Sequence, residues 1–440
     1  MNNLSMTDSS IFKISGRRVW DSRGNPTVEV EVVLVGGAVG RAIAPAGASR
    51  GSREAIDLRD GGKALDGKNV LRAVSNVNTL IAPALVGMDA CDQEEIDTAL
   101  ITIDGTSLKS NLGANATVAT SMAVLHAAAV ARQISLWQHV ADLSNQTPSV
   151  PLPEVQIFGG GAHAGRRVDV QDFMVMVPGA DTFDEVLEIT SEIYRAAGKI
   201  MASKDKIVGV ADEGGWWPVF NSNEEALQIL VQAIEDAGEI PGERVVISLD
   251  IAASEFSADG LYRLALEERQ MGSNEMIRLL GDWIDAYPIV SIEDPLAESD
   301  KNGTIAFTRE FGHRIQIIGD DYLVTSSDLV SAAADDRACN AVLIKVNQCG
   351  TVTEALTCMS TARKHGYRCV VSARSGESED VTISHLAVGL GAGQLKVGSF
   401  SRSERMAKWN ECLRIAEQAG SGQFVKGSPL AHTWWGKIAG

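Results

Sequence analysis

Hydrophobic and polar residues alternate early in the chain, as they do in a strand with one buried face. The alternation runs from Thr27 to Val32 within the segment NPTVEVEVVL. Gly36 and Gly37 follow it, and glycine is typical of tight turns. We therefore expect the next segment, GGAVGRAIAP, to return as the antiparallel partner of this strand.

The spacing of apolar residues then becomes helical, from 69 to 86 and from 115 to 140. The second stretch is rich in alanine and apolar on most faces, which predicts a buried helix. Strands followed by helices indicate a compact α+β domain. The proline-containing segment SNQTPSVPLP (144–153) predicts where that domain ends. We expect a capping domain over residues 1–145 and a second domain over residues 146–440.

Beyond residue 146, short apolar runs recur, and each carries or precedes a charged side chain. These side chains are Asp250, Glu293, Asp320, Lys345, Arg374 and Lys396. Most runs are roughly 20–30 residues apart, and a β/α barrel uses about 30 residues per unit. Continuous apolar runs suit strands that are covered on both faces. One charge after a strand is an ordinary start of a loop, but a series of them favours an active site at the barrel mouth.

Three of these side chains are the carboxylates of Asp250, Glu293 and Asp320, at equivalent positions in successive units. Like charges in one barrel mouth must protonate, separate or bind a cation. Oxygen ligands without histidine or thiol favour Mg²⁺ over zinc. We prefer this magnesium site to the alternative of three solvated acids.

Lys345 and Lys396 are cations within apolar runs. Burial near Mg²⁺ and a second ammonium would lower the pKa of a lysine towards that of a useful base. Such a base beside a divalent metal can remove a proton next to a carboxylate. A structural lysine with its head group in solvent explains either residue alone but not the pair.

Two polar loops add weaker signals. The segment GVADEGGWWPVF presents Asp212 and Glu213 before two glycines, where an acid could act as a general acid. The segment GGGAHAGRRVDVQDF contains His163, Gln171 and Asp172. Acidic turns and single histidines are common, so neither loop indicates a function by itself.

Taken together, these segments resemble the enolase family over nearly the whole chain. The resemblance is carried by DSRGNPTVEV (21–30), GASRGSREAIDLRDG (47–61), GAHAG (161–165), DEGG (212–215), SIEDP (291–295), GDD (319–321), KVNQCGTVTEA (345–355), RSGESED (374–380) and RSERMAKWN (402–410). It implies an α/β fold: an enolase-type, TIM-like (β/α)8 barrel with irregular first units, behind a smaller N-terminal α+β domain. The implied activity is a Mg²⁺-dependent hydro-lyase of glycolysis, which interconverts 2-phosphoglycerate and phosphoenolpyruvate through an enolate.

The resemblance also implies which residues bind metal. Asp250, Glu293 and Asp320 match the ligands of a structural Mg²⁺, and Ser49 matches a ligand of a second Mg²⁺ that arrives with substrate.

It further implies catalytic roles. Lys345 matches the base, Glu213 matches the acid that assists departure of the β-hydroxyl, and Lys396 matches the residue that pairs with the substrate carboxylate. His163 lines the pocket, and Asp172 matches a group that supports the acid.

The implied substrate-binding residues are Ser49, Gln171, Arg374, Ser375 and Lys396. Arg374 and Ser375 match the pair that binds the phosphate, and the guanidinium fork suits that group.

The chain departs from the family pattern near these segments. Ala373 stands where the family carries histidine, Asp172 where glutamate is usual, and Arg50 where threonine is usual. Gly159 replaces an asparagine, and Trp216–Trp217 replaces smaller residues. Drift in a second gene copy would explain these changes. The alternative is an altered substrate, another phosphorylated or phosphonylated hydroxyacid, as in a carboxyphosphonoenolpyruvate synthase-like activity, with Arg50 meeting an extra negative charge.

Composition narrows the partners and the compartment. The net charge is −18, which excludes a typical nucleic-acid binder and disfavours anionic membranes. None of the six cysteines forms a C-x-x-C pair, and we see neither a signal peptide nor a membrane-spanning stretch, so we expect a cytoplasmic protein. The expected partner is a small phosphorylated anion. A non-catalytic binding role is disfavoured by the complete set of acids and lysines.

The resemblance implies a homodimer or a higher homo-oligomer. Arg17 with Glu404, and Glu29 with Arg414, match the ion pairs between subunits. Ordinary surface charge is the alternative explanation of these four residues.

Overall fold

The alternating N-terminal segment is the middle strand of a three-stranded antiparallel sheet in the computed structural model, which describes residues 7–439. The strands are β1 (Ile11–Trp20), β2 (Pro26–Leu34) and β3 (Val39–Ile43). Gly37 has φ +86° in the turn between β2 and β3, a conformation that glycine adopts without strain. The predicted hairpin is therefore confirmed.

Helices pack against this sheet. They are α1 (Leu71–Asn76), α2 (Ala82–Leu85), α3 (Gln93–Asp104), α4 (Ala114–Ala131) and α5 (Leu136–Ser144). The stretch predicted as one helix over 115–140 is two helices. Helix α4 ends at Ala131, Gln133 has φ +53°, and Ser135 caps α5 together with Gln138.

Helix α4 lies in the core, as its composition predicts. It is long and apolar enough to cross a membrane, contrary to the expectation that no such stretch exists, but most of it is buried inside the protein. Its alanines let β3 approach closely: a Cβ built on Gly40 would lie 2.2 Å from the carbonyl oxygen of Ala123. The domain boundary predicted at 145/146 lies between α5 and the first barrel strand, and it stays a prediction.

The remaining strands build a barrel with two small additions. They are β4 (Leu152–Gly159), β5 (Asp172–Met176), β6 (Ile207–Val210), β7 (Trp216–Pro218), β8 (Val246–Asp250), β9 (Ser257–Ala258), β10 (Leu261–Leu264), β11 (Arg269–Met271), β12 (Ile289–Glu293), β13 (Gln316–Gly319), β14 (Ala341–Ile344), β15 (Arg368–Ser372) and β16 (Gly393–Ser399). Within the described residues, β4-β5-β8-β12-β13-β14-β15-β16 close into a ring through the β16–β4 pairing. Strand β5 is antiparallel to both neighbours, β4 and β8, and this is the irregular start of the barrel.

Helices connect the strands of the ring, and most of them pack around its outside. They are α6 (Phe183–Ser203), α7 (Asn223–Asp236), α8 (Ser273–Ala286), α9 (Lys301–Phe311), α10 (Ser327–Asp336), α11 (Val346–Cys349), α12 (Val352–Lys364), α13 (Thr382–Gly389), α14 (Ser403–Ala419) and α15 (Trp434–Ala439). The ring strands are almost wholly buried, so their apolar runs are covered on both faces. The predicted fold class is confirmed.

The small domain sends a loop over the mouth of the barrel. Ala46, beyond β3, pairs its backbone with Gly376, beyond β15, through N–H···O bonds of 2.9 and 2.8 Å. Residues 47–54 follow this bridge and therefore lie beside the C-terminal ends of the barrel strands, where the charged side chains of the barrel are.

Candidate active site

The three predicted metal ligands lie at the C-terminal ends of neighbouring strands. Asp250 ends β8, Glu293 ends β12, and Asp320 directly follows β13. Asp250 and Glu293 are register partners in adjacent parallel strands, so their carboxylates lie side by side. All three residues are buried.

Lys396 lies between two of these carboxylates. Its ammonium donates to Asp250 Oδ2 and to Glu293 Oε2, both at 2.7 Å, and lies 3.5 Å from Asp172 Oδ2. Burial acts to lower the pKa of Lys396, but Asp250 and Glu293 outweigh it and raise the pKa well above its ordinary value. Lys396 is therefore a firmly held cation.

Lys345 directly follows β14 and pairs with the third carboxylate. Its ammonium donates to Asp320 Oδ2 at 2.5 Å, and the amide of Gln348 donates to Asp320 Oδ1 at 2.7 Å. Burial acts to lower the pKa of Lys345, but Asp320 outweighs it and raises the pKa. The sequence predicted a lowered lysine pKa in the presence of Mg²⁺; the side chains by themselves act in the opposite direction, because each ammonium is paired with carboxylates.

The donor set fits a divalent cation. Glu293 Oε1 is buried and has no hydrogen-bond partner among the described residues. Burial first, and then the charge of Asp250, raise the pKa of Glu293 well above its usual range. A cation beside Asp250, Glu293 and Asp320 would give this oxygen a partner and would stabilise the ionised carboxylates.

A second carboxylate group adjoins this one. Oxygens of Asp294, Asp320 and Asp321 lie within 4.8 Å of one another, whereas the predicted trio forms no such tight group within the described chain. Both oxygens of Asp294, however, already accept backbone N–H bonds from Asp320 and Asp321, at 2.9 and 2.8 Å. Asp294 therefore orients the strand end, and its oxygens are less available to a metal.

At the same barrel mouth, His163 lies between two acids. Its Nδ1 is 3.5 Å from Asp172 Oδ1, and its Nε2 is 3.8 Å from Glu213 Oε1. Burial acts to lower the pKa of His163, but Glu213 and Asp172 together raise it above its ordinary value. This arrangement can hold a proton near Glu213.

Gln156, on β4, supports this group and was missed in the sequence. Its buried amide donates to Asp172 Oδ1, and its Oε1 accepts the N–H of Gly215 at 2.9 Å. One side chain thus joins Asp172 to the turn that carries Glu213. The available signal was a polar residue within the apolar run LPEVQIF.

The predicted phosphate-binding pair lies under the loop from the small domain. Arg374 donates to Glu54 Oε2 at 3.0 Å, to the carbonyl oxygen of Ser49 at 2.9 Å and to Asn347 Oδ1 at 3.2 Å. The hydroxyl of Ser375 accepts the N–H of Ala48 at 2.7 Å. Glu54 was also missed in the sequence.

These groups enclose one small cavity of about 20 Å³, which holds roughly one water molecule. The predicted residues that line it are Ser49, His163, Gln171, Asp172, Glu213, Asp250, Lys345, Arg374, Ser375 and Lys396. Glu293 and Asp320 do not line it and lie behind Lys396 and Lys345. Gln171 donates to Asp250 Oδ2 at 2.9 Å.

The departures from the family pattern lie in different places. Ala373 and Asp172 line the cavity. Arg50 does not line it; the guanidinium is exposed and donates to the carbonyl oxygen of Ala55 at 3.2 Å. Whether Arg50 meets an extra negative charge on a substrate stays a prediction.

The other departures are structural. A Cβ on Gly159 would lie 2.6 Å from Cβ of Ala211, so a larger residue requires a shift here. Trp216 stacks on Tyr194 with ring centroids 4.8 Å apart, and Tyr194 donates its hydroxyl to Gly214 O at 3.0 Å. Trp216 therefore supports the turn next to Glu213 from outside the cavity.

Comparisons with known proteins agree with this architecture. Residues 11–140 match the family model described as "Enolase, N-terminal domain", and residues 147–433 match "Enolase, C-terminal TIM barrel domain". A curated protein named Enolase 1, from Desulfitobacterium hafniense (strain Y51), is 49% identical over 419 residues, which cover 94% of this chain and 95% of that protein.

Proposed function

Because this chain belongs to the enolase family, we propose that it is a Mg²⁺-dependent hydro-lyase that interconverts 2-phosphoglycerate and phosphoenolpyruvate. The observation that carries the proposal is the single cavity shared by two lysines, the His163–Glu213 group and the Arg374–Ser375 pair. These groups offer cations to both anionic ends of a phosphorylated acid, and proton acceptors and donors to the carbons between them. The cavity, at about 20 Å³, has to widen to admit the acid.

Asp250, Glu293 and Asp320 would hold one Mg²⁺, and Ser49 would contribute to a second that accompanies substrate. When bound, the ions would supply positive charge that stabilises the substrate carboxylate as it takes up negative charge. Lys396 would pair with that carboxylate, since neighbouring carboxylates raise its pKa and keep it a cation.

Proton transfer would use opposite sides of the cavity. Lys345 would accept the proton from the carbon next to the carboxylate. Glu213, with His163 beside it, would return a proton to the departing hydroxyl, which leaves as water. Asp172 would hold the imidazole, and Arg374 with Ser375 would hold the phosphate.

The test follows the ultraviolet absorbance of phosphoenolpyruvate when purified protein, 2-phosphoglycerate and Mg²⁺ are mixed. We expect steady formation of the enol product and its loss when a chelator is added. Absence of turnover at saturating Mg²⁺ and substrate would overturn the proposal. Lys345→Ala protein is the matched control, because its cavity is otherwise retained.

A second candidate is hydro-lyase chemistry on another phosphorylated or phosphonylated hydroxyacid, such as a carboxyphosphonoenolpyruvate synthase-like activity. Ala373 favours it, because a methyl group lines the cavity where the family carries an imidazole. Ala373→His decides between the two. A large rise in 2-phosphoglycerate turnover would indicate a weakened ancestral site, and no rise would indicate a pocket adapted to another substrate.

We also propose a cytoplasmic role in glycolysis and a homodimer or higher homo-oligomer. Within one chain, Arg17 pairs with Glu29 at 2.5 Å, and Arg414 pairs with Glu411 at 2.6 Å. The predicted pairs between subunits require these partners to be exchanged or shared. Sedimentation velocity tests the oligomer, and a monomer at micromolar concentration would contradict it. We also keep the prediction that this protein binds neither nucleic acid nor membranes.

A further inference from the structure

A larger cavity of about 740 Å³ opens beside the small cavity at the barrel mouth, which we call the catalytic cavity. Its charged lining consists of Arg23, Arg50, Arg59, Lys68 and Arg166, with Asp57 and Asp212. Cations therefore outnumber anions here, whereas the whole chain has 39 Lys and Arg against 57 Asp and Glu. We call this cavity the basic vestibule.

Two of its cations have no carboxylate within 4.0 Å in the part of the chain that the structure describes. The exposed guanidinium of Arg50 donates only to the carbonyl oxygen of Ala55, at 3.2 Å, and the exposed ammonium of Lys68 donates only to Asn25 Oδ1, at 3.3 Å. By contrast, Arg59 is neutralised by Asp57 at 2.5 Å. Arg50 and Lys68 are therefore charges that an incoming anion can meet.

Arg23 is a third incompletely paired cation. Its nearest carboxylate oxygen, in Asp21, is 3.8 Å away, and its Nε is buried without a hydrogen-bond partner among residues 7–439. Its Nη2 donates to the carbonyl oxygens of Ala46 and Gly47, at 3.1 and 3.3 Å. Arg23 thus lies against the loop that leads to the catalytic cavity.

The basic vestibule and the catalytic cavity are neighbours separated by that loop. Gly47 and Ala48 line both cavities. Ala162, which lines the vestibule, directly precedes His163, which lines the catalytic cavity. An anion in the vestibule is therefore one loop away from Arg374.

We propose that the basic vestibule is an outer anion-binding subsite, which takes the phosphate group of a phosphorylated acid before the acid enters the catalytic cavity. This inference rests on the proposed function, since it assumes a phosphorylated substrate. A chain with net charge −18 repels such a substrate, and a cleft lined with cations reverses the field locally and raises the rate of encounter. Arg50, which stands where threonine is usual, strengthens this field in this chain.

The first test is kinetic and uses the double variant Arg50→Thr/Lys68→Gln. We expect kcat/KM for 2-phosphoglycerate to fall roughly three- to tenfold at low ionic strength, with a weaker salt dependence and kcat nearly unchanged. The matched control is Arg278→Gln/Lys199→Gln, which removes the same charge from exposed positions on α8 and α6. An equal fall in both double variants, or no fall in the first, would overturn the subsite.

The second test needs no turnover. Equilibrium dialysis measures radiolabelled inorganic phosphate on Arg374→Gln protein without divalent metal, so that the inner cation is absent. We expect binding to persist and to weaken several-fold when Arg50→Thr/Lys68→Gln is added. Equal binding with and without that pair would refute the vestibule. If wild-type protein with Mg²⁺ made no phosphoenolpyruvate while this phosphate binding was found, the proposed function would be refuted and the vestibule would stand.

Discussion

The two lysines of the catalytic cavity differ in how many carboxylates surround them. Lys396 has three within 3.5 Å, those of Asp250, Glu293 and Asp172. The ion pair of Lys345 is with Asp320 alone, among the described residues. Since each carboxylate stabilises the ammonium form, Lys345 loses its proton more easily. This difference favours Lys345 as the base and Lys396 as the permanent cation.

Replacing Lys345 by alanine should abolish proton removal and keep the fold. Asp320 retains its hydrogen bond from Gln348, so the carboxylate is not left without a donor. The measurement is solvent deuterium exchange at the α-carbon of 2-phosphoglycerate, followed by proton NMR. Lys199→Ala, on the exposed face of α6, is the control. Exchange at the wild-type rate would remove Lys345 from the role of base.

Gln156 should act as a positioning residue, because it contacts Asp172 and Gly215 but does not line the cavity. Gln156→Leu leaves two buried polar groups without a partner and loosens both Asp172 and the turn of Glu213. We expect kcat to fall about tenfold while KM changes less than about twofold.

The pH dependence of kcat is the second readout for Gln156→Leu. Without the amide donor, the charge of Asp172 acts more strongly on His163 and raises the pKa of the imidazole. If His163 controls the proton of Glu213, the pKa seen in the kcat profile should therefore move upward. Gln316→Leu is the control, because Gln316 is buried on β13 and its amide atoms have no partner among the described residues. If only KM changed in Gln156→Leu, the positioning role would be lost.

Among single residues, the sequence predicts those at repeated strand ends and misses those that act on a partner far away along the chain. Asp250 and Glu293 follow apolar runs, which is a local signal. Glu54 acts on Arg374 across a separation of 320 residues, and Gln348 acts on Asp320 from a short helix. No local pattern marks such partners, because the contact exists only after the chain has folded.

The contact between β3 and α4 leaves no room for a side chain at Gly40. Gly40 faces the backbone of α4, where a Cβ would lie 2.2 Å from both Ala123 O and Ala127 N. Backbone atoms cannot move aside as a flexible side chain can. The alanines of α4 are therefore required for close packing and not only for helix propensity.

Gly40→Ala should destabilise the small domain by about 1–3 kcal/mol, since the helix must shift from the sheet. Urea unfolding followed by circular dichroism measures the change. Gly209→Ala, on β6, is the control, because no atom lies within 4 Å of the Cβ position there. Equal stability of the two variants would show that α4 moves without cost.

Element type was predictable where the period was clear, and element ends were not. Alternation identified β2, and apolar runs identified β8 and β12–β16. The break between α4 and α5 was missed although Ser135 and Gln138 have the S-x-x-Q spacing of a capping box, which marks a helix start. The reversed direction of β5 could not be read from the pattern, because antiparallel and parallel buried strands have the same apolar composition.

The small domain covers the barrel and also closes the catalytic cavity. It supplies the loop of residues 47–54, and Glu54 in that loop holds Arg374. The relative position of the two domains therefore determines the shape of the catalytic cavity and of the basic vestibule. Contacts far from the substrate that fix this position should affect both.

One such contact is the ion pair between Lys109, in the small domain, and Glu354, on α12. The Nζ–Oε1 distance is 2.8 Å, and the side chain of Lys109 is only 2% exposed. Glu354 also accepts the hydroxyl of Thr351 at 2.8 Å. Loss of the carboxylate would leave a buried ammonium with no partner, which is more costly than loss of the pair as a whole.

Glu354→Ala should therefore lower the free energy of unfolding by about 3–5 kcal/mol, and the double variant Lys109→Met/Glu354→Ala should recover most of the loss. Methionine keeps much of the apolar stem that packs against Gly350, where a Cβ would lie 2.8 Å from Cγ of Lys109. Urea unfolding of the two variants and of Lys109→Met completes the cycle. If the double variant were as unstable as Glu354→Ala, the buried charge would not be the cause. Recovery of stability together with kcat would show that the domains are held together by packing, and that the ion pair is needed only because the lysine is buried.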